Sequence, residues 1–443
     1  MLGIGGIGMS ALARWFRLHG KSISGYDKTQ TPLTDALIAE GIPVEFDFNP
    51  QSIEGVDLMV ITPAVPKENP VMEAALQKGI RIIKRAELLG LLSNNFRTIA
   101  IAGTHGKTTT TGMTTWLLKK GGVDCTGFIG GILKNFDSNF VPGKSDWIVA
   151  EADEFDRSFL QLNPEVSVIT SVDPDHLDIY GTAEDVKSGY AAFAEKLKPG
   201  GLLLLNDRLR SFSQTISKNA YFYGLANADR KAEHIRSADM GTFFDYVTDK
   251  EQVKDLFLSI PGRYNLENAL AAISAARYAG ASWEGIREGL ATFKGIARRF
   301  DIQYISERIA LIDDYAHHPE EIRSLLPAVR SQFPDRKMVV IFQPHLFTRT
   351  RDFADGFAEA LSGADEVLLL DIYPARELPI PGVSSKMLMD KITAPQKGLT
   401  SKTDLPGEIR ERLNSKTVFL TVGAGDIDAC VPELKKTLED LKA

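Results

Sequence analysis

Apolar and polar positions alternate with two different periods over residues 1–93. A glycine-rich turn, Gly3 to Gly8, leads into helical spacing over Ser10 to His19, closed by Gly20. A strand pattern runs from Lys21 to Tyr26 and ends at Asp27. Helical spacing returns over Leu33 to Glu40 and is closed by Gly41. Val56 to Thr62 reads as a strand broken by Pro63 and Pro66, Pro70 to Lys78 as a helix, and Arg81 to Lys84 as a short strand. Strands that alternate with helices in this way predict a parallel sheet covered by helices.

Ser93-Asn94-Asn95 is a polar break and reads as a linker. Beyond it, Arg97 to Ala102 is an apolar strand, followed by a helix over Thr108 to Lys120. Trp147 to Ala150 and Val166 to Val172 are further strands of buried type, and Tyr264 to Ala279 is an alanine-rich helix. A second boundary falls near Lys294 to Phe300. The last third alternates again, with strands at Ile309 to Asp313, Met338 to Phe342, Glu366 to Leu370 and Val418 to Val422. The expected fold class is α/β in three domains: residues 1–93 and 296–443 Rossmann-like, residues 97–295 a central domain built around a phosphate loop.

Composition narrows the function. A chain of 443 residues, 44% hydrophobic, exceeds one ordinary domain and can bury large cores. Its formal charge of −7 argues against non-specific nucleic-acid or anionic-membrane partners. No apolar run is long enough to span a bilayer, and the first residues lack the charged start, apolar stretch and cleavage site expected of a signal peptide. Two distant cysteines, Cys125 and Cys430, form no disulfide framework and suit a reducing compartment. A soluble, cytoplasmic protein is expected.

The chemistry gathers at strand ends. Gly103-Thr104-His105-Gly106-Lys107-Thr108-Thr109 follows a strand and opens a helix, the setting of a phosphate loop. Backbone N–H groups and the helix N-terminus attract phosphate oxygens. Lys107 would reach the β- and γ-phosphates of ATP, and the Thr108 hydroxyl would bind Mg²⁺. The strict G-x-x-x-x-G-K-[ST] spacing is not met, because Gly103 stands too close to Gly106. Glu151 and His176 follow two buried strands, where acidic and polar side chains meet ligands. A helix N-terminal charge explains Glu151 alone and a surface loop residue His176 alone; the pair after a phosphate loop favours a metal.

The first turn, Gly3-Ile4-Gly5-Gly6-Ile7-Gly8, satisfies G-x-G-x-x-G, and Asp27 ends the next strand. That pattern fits the diphosphate of NAD or of another nucleotide equally well. Only Met1 and Leu2 precede it, where a strand is expected. In the last third, Asp313-Asp314-Tyr315-Ala316-His317-His318-Pro319 and Gln343-Pro344-His345-Leu346-Phe347-Thr348-Arg349-Thr350-Arg351 each follow a strand. Arg349 and Arg351 suit a carboxylate or a phosphate.

In this order, these blocks resemble the Mur ligase superfamily over essentially the whole chain. Glu151-Ala-Asp-Glu154, Asp175-His-Leu-Asp178, Gly262-Arg-Tyr-Asn-Leu-Glu-Asn268, Arg298-Arg-Phe300 and Gly423-Ala-Gly425 strengthen the resemblance. It implies an ATP-dependent ligase that activates a carboxylate as an acyl phosphate, with ATP, UDP-N-acetylmuramate and L-alanine as substrates and Mg²⁺ as cofactor. It further implies that Gly5, Gly6, Ile7, Gly8, Met9, Ser10 and Asp27 bind the UDP-sugar. Residues Gly103 to Thr109, Asn265, Asn268, Arg299 and Asp314 would bind ATP. Thr108, Glu151 and His176 would hold the metal. Tyr315, His317, His318, His345, Arg349 and Arg351 would line the carboxylate and alanine site, and Lys107, His176, Arg299, His318 and Arg349 would carry the catalysis, with His318 or His176 as general base. A monomer or weak homodimer is implied. The sequence departs from the family at Tyr264, where histidine is frequent, at Leu346, where some members carry arginine, and at Phe155, where serine is frequent. The alternatives are a sister ligase (murein-tripeptide recycling, later stem-peptide or folylpolyglutamate), an NAD-dependent dehydrogenase resting on the first glycine turn, and a non-catalytic nucleotide-binding scaffold.

Overall fold

The computed structural model describes residues 1–440 apart from positions 48, 64, 67, 176, 239, 376 and 414. The chain forms two compact units: Met1–Ile260 with Asn265–Lys294, and Pro261–Tyr264 with Gly295–Ala443.

The first unit opens with the helix Ile7–Leu18, which buries Met9, Leu12, Ala13 and Trp15. Two parallel strand pairs follow, Gly25–Tyr26 with Val44–Glu45 and Leu58–Ile61 with Arg81–Lys84. Leu2 lies between the pairs, bridged in parallel to Tyr26 and to Ile61. Its N–H donates to the Val60 carbonyl at 2.9 Å. Isolated bridges at Leu2 thus stand where the sequence pattern calls for a strand.

A ten-stranded sheet forms the bulk of this unit. Its centre is parallel: Arg97–Ala102 lies between Trp147–Glu151 and Val166–Ile169. The ends are antiparallel, with Ser138–Val141 on Thr126–Leu133 at one side. At the other side Arg230–Ala238, Gly241–Val247 and Gln252–Leu258 form a meander. Apart from Arg97, Arg97–Ala102 is buried throughout, as fits a strand covered on both faces. Met9 and Leu12 share one core with Phe128 and Phe140, so the first helix packs onto the end of the sheet formed by Thr126–Leu133. Buried Asn139 fixes that contact by donating to the Ile7 carbonyl at 2.5 Å and to Ser10 Oγ at 2.9 Å.

The second unit holds a six-stranded sheet in the order Asp301–Ile305, Ile309–Asp314, Thr417–Val422, Lys337–Phe342, Glu366–Leu369, Gln396–Leu399. Only the first pair is antiparallel. Helices such as Pro319–Gln332, Ala354–Leu361 and Val431–Asp440 accompany it.

Several boundaries differ from the sequence reading. Ser93-Asn94-Asn95 is the last turn of the helix Arg85–Asn95, not a linker. Ser93 is buried there and donates to the Gly90 carbonyl at 2.7 Å, so a polar residue behaves as a core one. The strand expected over Lys21 to Tyr26 shrinks to Gly25–Tyr26. The strand expected to Val172 stops at Ile169, where Thr170 turns to the phosphate loop. The meander over residues 230–258 carried no strand in the sequence reading.

Candidate active site

Gly103 and Gly106 adopt φ of +134° and +81°, conformations that L side chains rarely take. Gly106 caps the helix Lys107–Lys120. The loop between them is held by the next strand end. The His105 N–H donates to Ser171 Oγ at 2.9 Å, and the Thr104 and Ser171 hydroxyls lie 2.7 Å apart. The Thr170 hydroxyl donates to the His105 carbonyl at 2.5 Å. Asn268, on the helix Arg263–Tyr278, closes the other side: a Cβ on Gly106 would lie 2.7 Å from its Oδ1. Asn265 is buried on the same helix.

Lys107 folds back over this loop. Its ammonium donates to the Gly103 carbonyl at 2.6 Å and to Glu154 Oε1 at 3.0 Å. Burial alone would depress its pKa. The charges of Glu154, Glu151 and Asp153 outweigh that and hold it above the ordinary lysine value. Lys107 therefore stays charged, the state a phosphate-binding lysine needs. Glu154 belongs to a motif noted in the sequence, yet its pairing with Lys107 was not foreseen.

Glu151 ends its strand beside the loop strand, in register with Ile101. Its carboxylate accepts the Gly130 N–H at 3.1 Å. Any side chain at position 130 would collide with it, since a Cβ there would lie 2.3 Å from Oε2. Thr108 is buried in the first helical turn. These are hard oxygen donors of the kind Mg²⁺ prefers. The third expected ligand, His176, lies outside the described residues. Among the described residues, no group of three His, Cys, Asp or Glu is gathered to hold a metal.

A cavity of about 260 Å³ joins the glycine turn to this carboxylate, lined by residues 6–9, Arg85, Gly130, Glu151 and Asp153 among others. Asp27 stands at the rear of the turn, where Oδ2 accepts the Gly5 N–H at 2.8 Å. Ser10 lies behind it, buried against Asn139.

In the second unit, Arg298 and Arg299 flank one ring: their guanidinium carbons lie 4.9 and 5.0 Å from the Tyr315 centroid. Asp314 is buried, and its carboxylate accepts the N–H groups of Phe300 at 2.7 Å and Ala316 at 2.8 Å. It ties the arginine turn to the strand end. Burial pushes its pKa up to about 6 against the opposing charge of Arg299. Glu321 was not singled out from sequence. It accepts the N–H of His317 at 2.8 Å and of His318 at 3.1 Å, and sits 3.6 Å from Arg299. His318 caps the same helix, Pro319–Gln332. The His317 and His345 rings are 6.3 Å apart, and His345 stacks on Tyr373 at 5.7 Å. Arg349, on the helix Phe347–Asp352, bears electrostatically on His317. Arg351 stands apart, exposed and paired with Asp352 at 2.7 Å.

Burial lowers the His317 pKa from 6.5 to about 4, with Arg349 and Arg299 adding to the effect and Glu321 opposing it. Between these values the unfolded chain binds the extra proton. This contribution to stability is therefore complete above pH 6.5 and lost as pH falls towards 4. Asp313 and Asp314, each raised from 3.8 to about 6, act oppositely: their folded forms hold the proton, so stability falls as pH rises through that window. Comparing wild type with His317→Asn isolates the histidine. From pH 7 to pH 4 the difference in unfolding free energy should move by up to about 3 kcal/mol in favour of the variant. A difference that stays constant in denaturant titrations would mean His317 is not buried in its neutral form.

Family patterns match the chain in three consecutive blocks. The Mur ligase family catalytic domain covers residues 1–97, the Mur ligase middle domain 101–276, and the Mur ligase glutamate ligase domain 298–425. The chain belongs to the Mur ligase family. Three Mur ligase domains therefore build this α/β ligase. A UDP-N-acetylmuramate–L-alanine ligase of Flavobacterium johnsoniae is 44% identical, over 99% of this chain and 97% of the relative. One of Porphyromonas gingivalis is 45% identical, over 99% and 98%. The crystal structure of the UDP-N-acetylmuramate–alanine ligase of Thermotoga maritima superposes on this Mur ligase with a TM-score of 0.84. It is 30% identical and covers 100% of this chain and 99% of the other. A murein peptide ligase of Psychrobacter arcticus shares the fold at a TM-score of 0.72 and 23% identity. Family membership removes the dehydrogenase reading: the glycine turn sits in the Mur ligase N-terminal block.

Proposed function

We propose that this Mur ligase joins L-alanine to the lactoyl carboxylate of UDP-N-acetylmuramate at the expense of ATP, a step of peptidoglycan precursor synthesis. The observation that carries the reading is full-length identity of 44–45% to ligases of that specificity. Recycling ligases of known structure match at 23–28% identity, well below that.

In this reading the residues 1–93, 97–295 and 296–443 serve the UDP-sugar, ATP and the amino acid. Gly5 to Ser10 and Asp27 hold the sugar nucleotide. The carboxylate attacks the γ-phosphorus of ATP, and ADP leaves. Lys107, released from Glu154 to the phosphates, and Arg299 offset the charge of the transferring group. Gly103 to Thr109, Asn265 and Asn268 cradle the nucleotide, and Asp314 positions its surroundings. Mg²⁺, held by Thr108, Glu151 and His176, would neutralise phosphate charge. The alanine amine then attacks the acyl phosphate, the amide forms and phosphate leaves. His318 takes the proton, while Tyr315, His317, His345 and Arg349 position alanine and the carboxylate. The products are UDP-N-acetylmuramoyl-L-alanine, ADP and phosphate. A cytoplasmic monomer or weak homodimer, with no nucleic-acid or membrane partner, completes the proposal. No described helix is long and apolar enough to cross a membrane.

Phosphate release from ATP tests it. Release should require UDP-N-acetylmuramate and rise with L-alanine. A tripeptide that outcompetes alanine would transfer the chain to the recycling reaction.

A further inference from the structure

The cavity between the glycine turn and Glu151 contains a cation that the reading so far leaves idle. Arg85 opens the helix Arg85–Asn95, and its side chain is 18% exposed. It is the one lysine or arginine among the described residues lining that cavity. One arm of its guanidinium, Nη2, stands 3.2 Å from Asp153 Oδ2. The other arm lies directly over the turn: a Cβ on Gly8 would meet Nη1 at 2.6 Å. Asp153 is itself fixed, since its Oδ1 accepts the Phe155 N–H at 3.0 Å. The fork is therefore aimed by one carboxylate and presents its remaining donors to the space above Gly8.

Charge makes this placement consequential. Glu151 and Asp153 give the cavity two carboxylates. A sugar nucleotide would bring a diphosphate into the same space. Backbone N–H groups of the turn supply only partial charges. A planar guanidinium supplies paired donors and a full charge, the geometry that phosphate oxygens take best.

We propose that Arg85 binds the diphosphate of the sugar nucleotide, and that Asp153 is the positioning residue that aims it. The inference rests on the UDP-sugar reading of the glycine turn. It adds a substrate-binding residue far from that turn in sequence, and gives Asp153 a role apart from the phosphate loop.

The test uses the full-length enzyme, with UDP and uridine as calorimetric probes alongside steady-state kinetics. Arg85→Ala should weaken UDP binding roughly tenfold to a hundredfold while uridine binding holds. The KM for UDP-N-acetylmuramate should rise in parallel, with the KM for ATP unchanged. Arg85→Lys should fall between, because it keeps the charge and loses the fork. Asp153→Asn should give a smaller rise in the same KM. If Arg85→Ala does not fold, Arg85→Lys carries the test alone through its loss for UDP against uridine. The proposal is overturned if UDP affinity stays within twofold in the folded variants, or if uridine and ATP weaken equally with UDP. Wild-type enzyme that fails to bind UDP would instead overturn the sugar-nucleotide reading beneath it.

Discussion

Lys107→Ala should lower ATP-dependent phosphate release by at least about 10²–10³-fold, the effect of removing one preorganised charge from a transferring phosphoryl group. It should also destabilise the protein, for a separate reason. Glu154 is 3% exposed at its side chain and lies 2.9 Å from the Lys107 ammonium. Removing one partner of such a buried pair costs about 3–5 kcal/mol, because the remaining charge is stranded. The two effects can be separated. Lys107→Ala with Glu154→Gln should recover most of the lost stability and none of the activity. Denaturant titration and phosphate release on the same samples decide the matter. A double variant that regains turnover would show that Lys107 acts through Glu154 and not on phosphate.

The second large effect is expected at Gly103. A Cβ there would lie 2.0 Å from Thr170 Oγ1 and 2.8 Å from the Ser171 backbone nitrogen, at a φ of +134°. The Thr170 side chain can rotate away. Ser171 N cannot move without displacing the segment that pins Thr104 and His105. Gly103→Ala should therefore cost about 2–6 kcal/mol, combining backbone strain with overpacking, and abolish nucleotide binding. Gly122→Ala is the control. Its φ is +88°, but nothing lies within 4 Å of the added Cβ, so only the strain of about 1–3 kcal/mol remains. Equal melting temperatures for the two variants would remove the steric argument.

The parts legible in the sequence are those in which one short segment holds both the signal and the structure. Arg97–Ala102 has the bounds that its apolar run predicts, and the glycine loop and helix follow as read. Several Mur ligase blocks stand at strand ends, as residues 103–109, 151–154 and 423–425 do, whereas the block at residues 262–268 opens a helix. What stayed hidden depends on partners distant in sequence. Glu154 reaches Lys107 across 47 residues, and Arg85 reaches Asp153 across 68. Ser171 and Thr170 looked like the tail of a strand, yet their hydroxyls serve the loop. Glu321 was not singled out in the sequence, and only the fold shows it receiving the N–H groups of both histidines and facing Arg299. Asp314 adds a second case. The resemblance places it beside the nucleotide, and the fold shows in addition that both its oxygens receive backbone amides.

The threonine and serine that grip the phosphate loop have an energetic consequence for substrate capture. A loop that must be ordered by its ligand loses conformational entropy at each residue fixed, and affinity falls accordingly. Here Thr104 and His105 are already hydrogen-bonded to the neighbouring strand end, and the loop springs from a strand paired on both sides. The cradle is preorganised. In the proposed reading, ATP on arrival would rearrange chiefly one side chain, Lys107, which exchanges a carboxylate for a phosphate of the same sign.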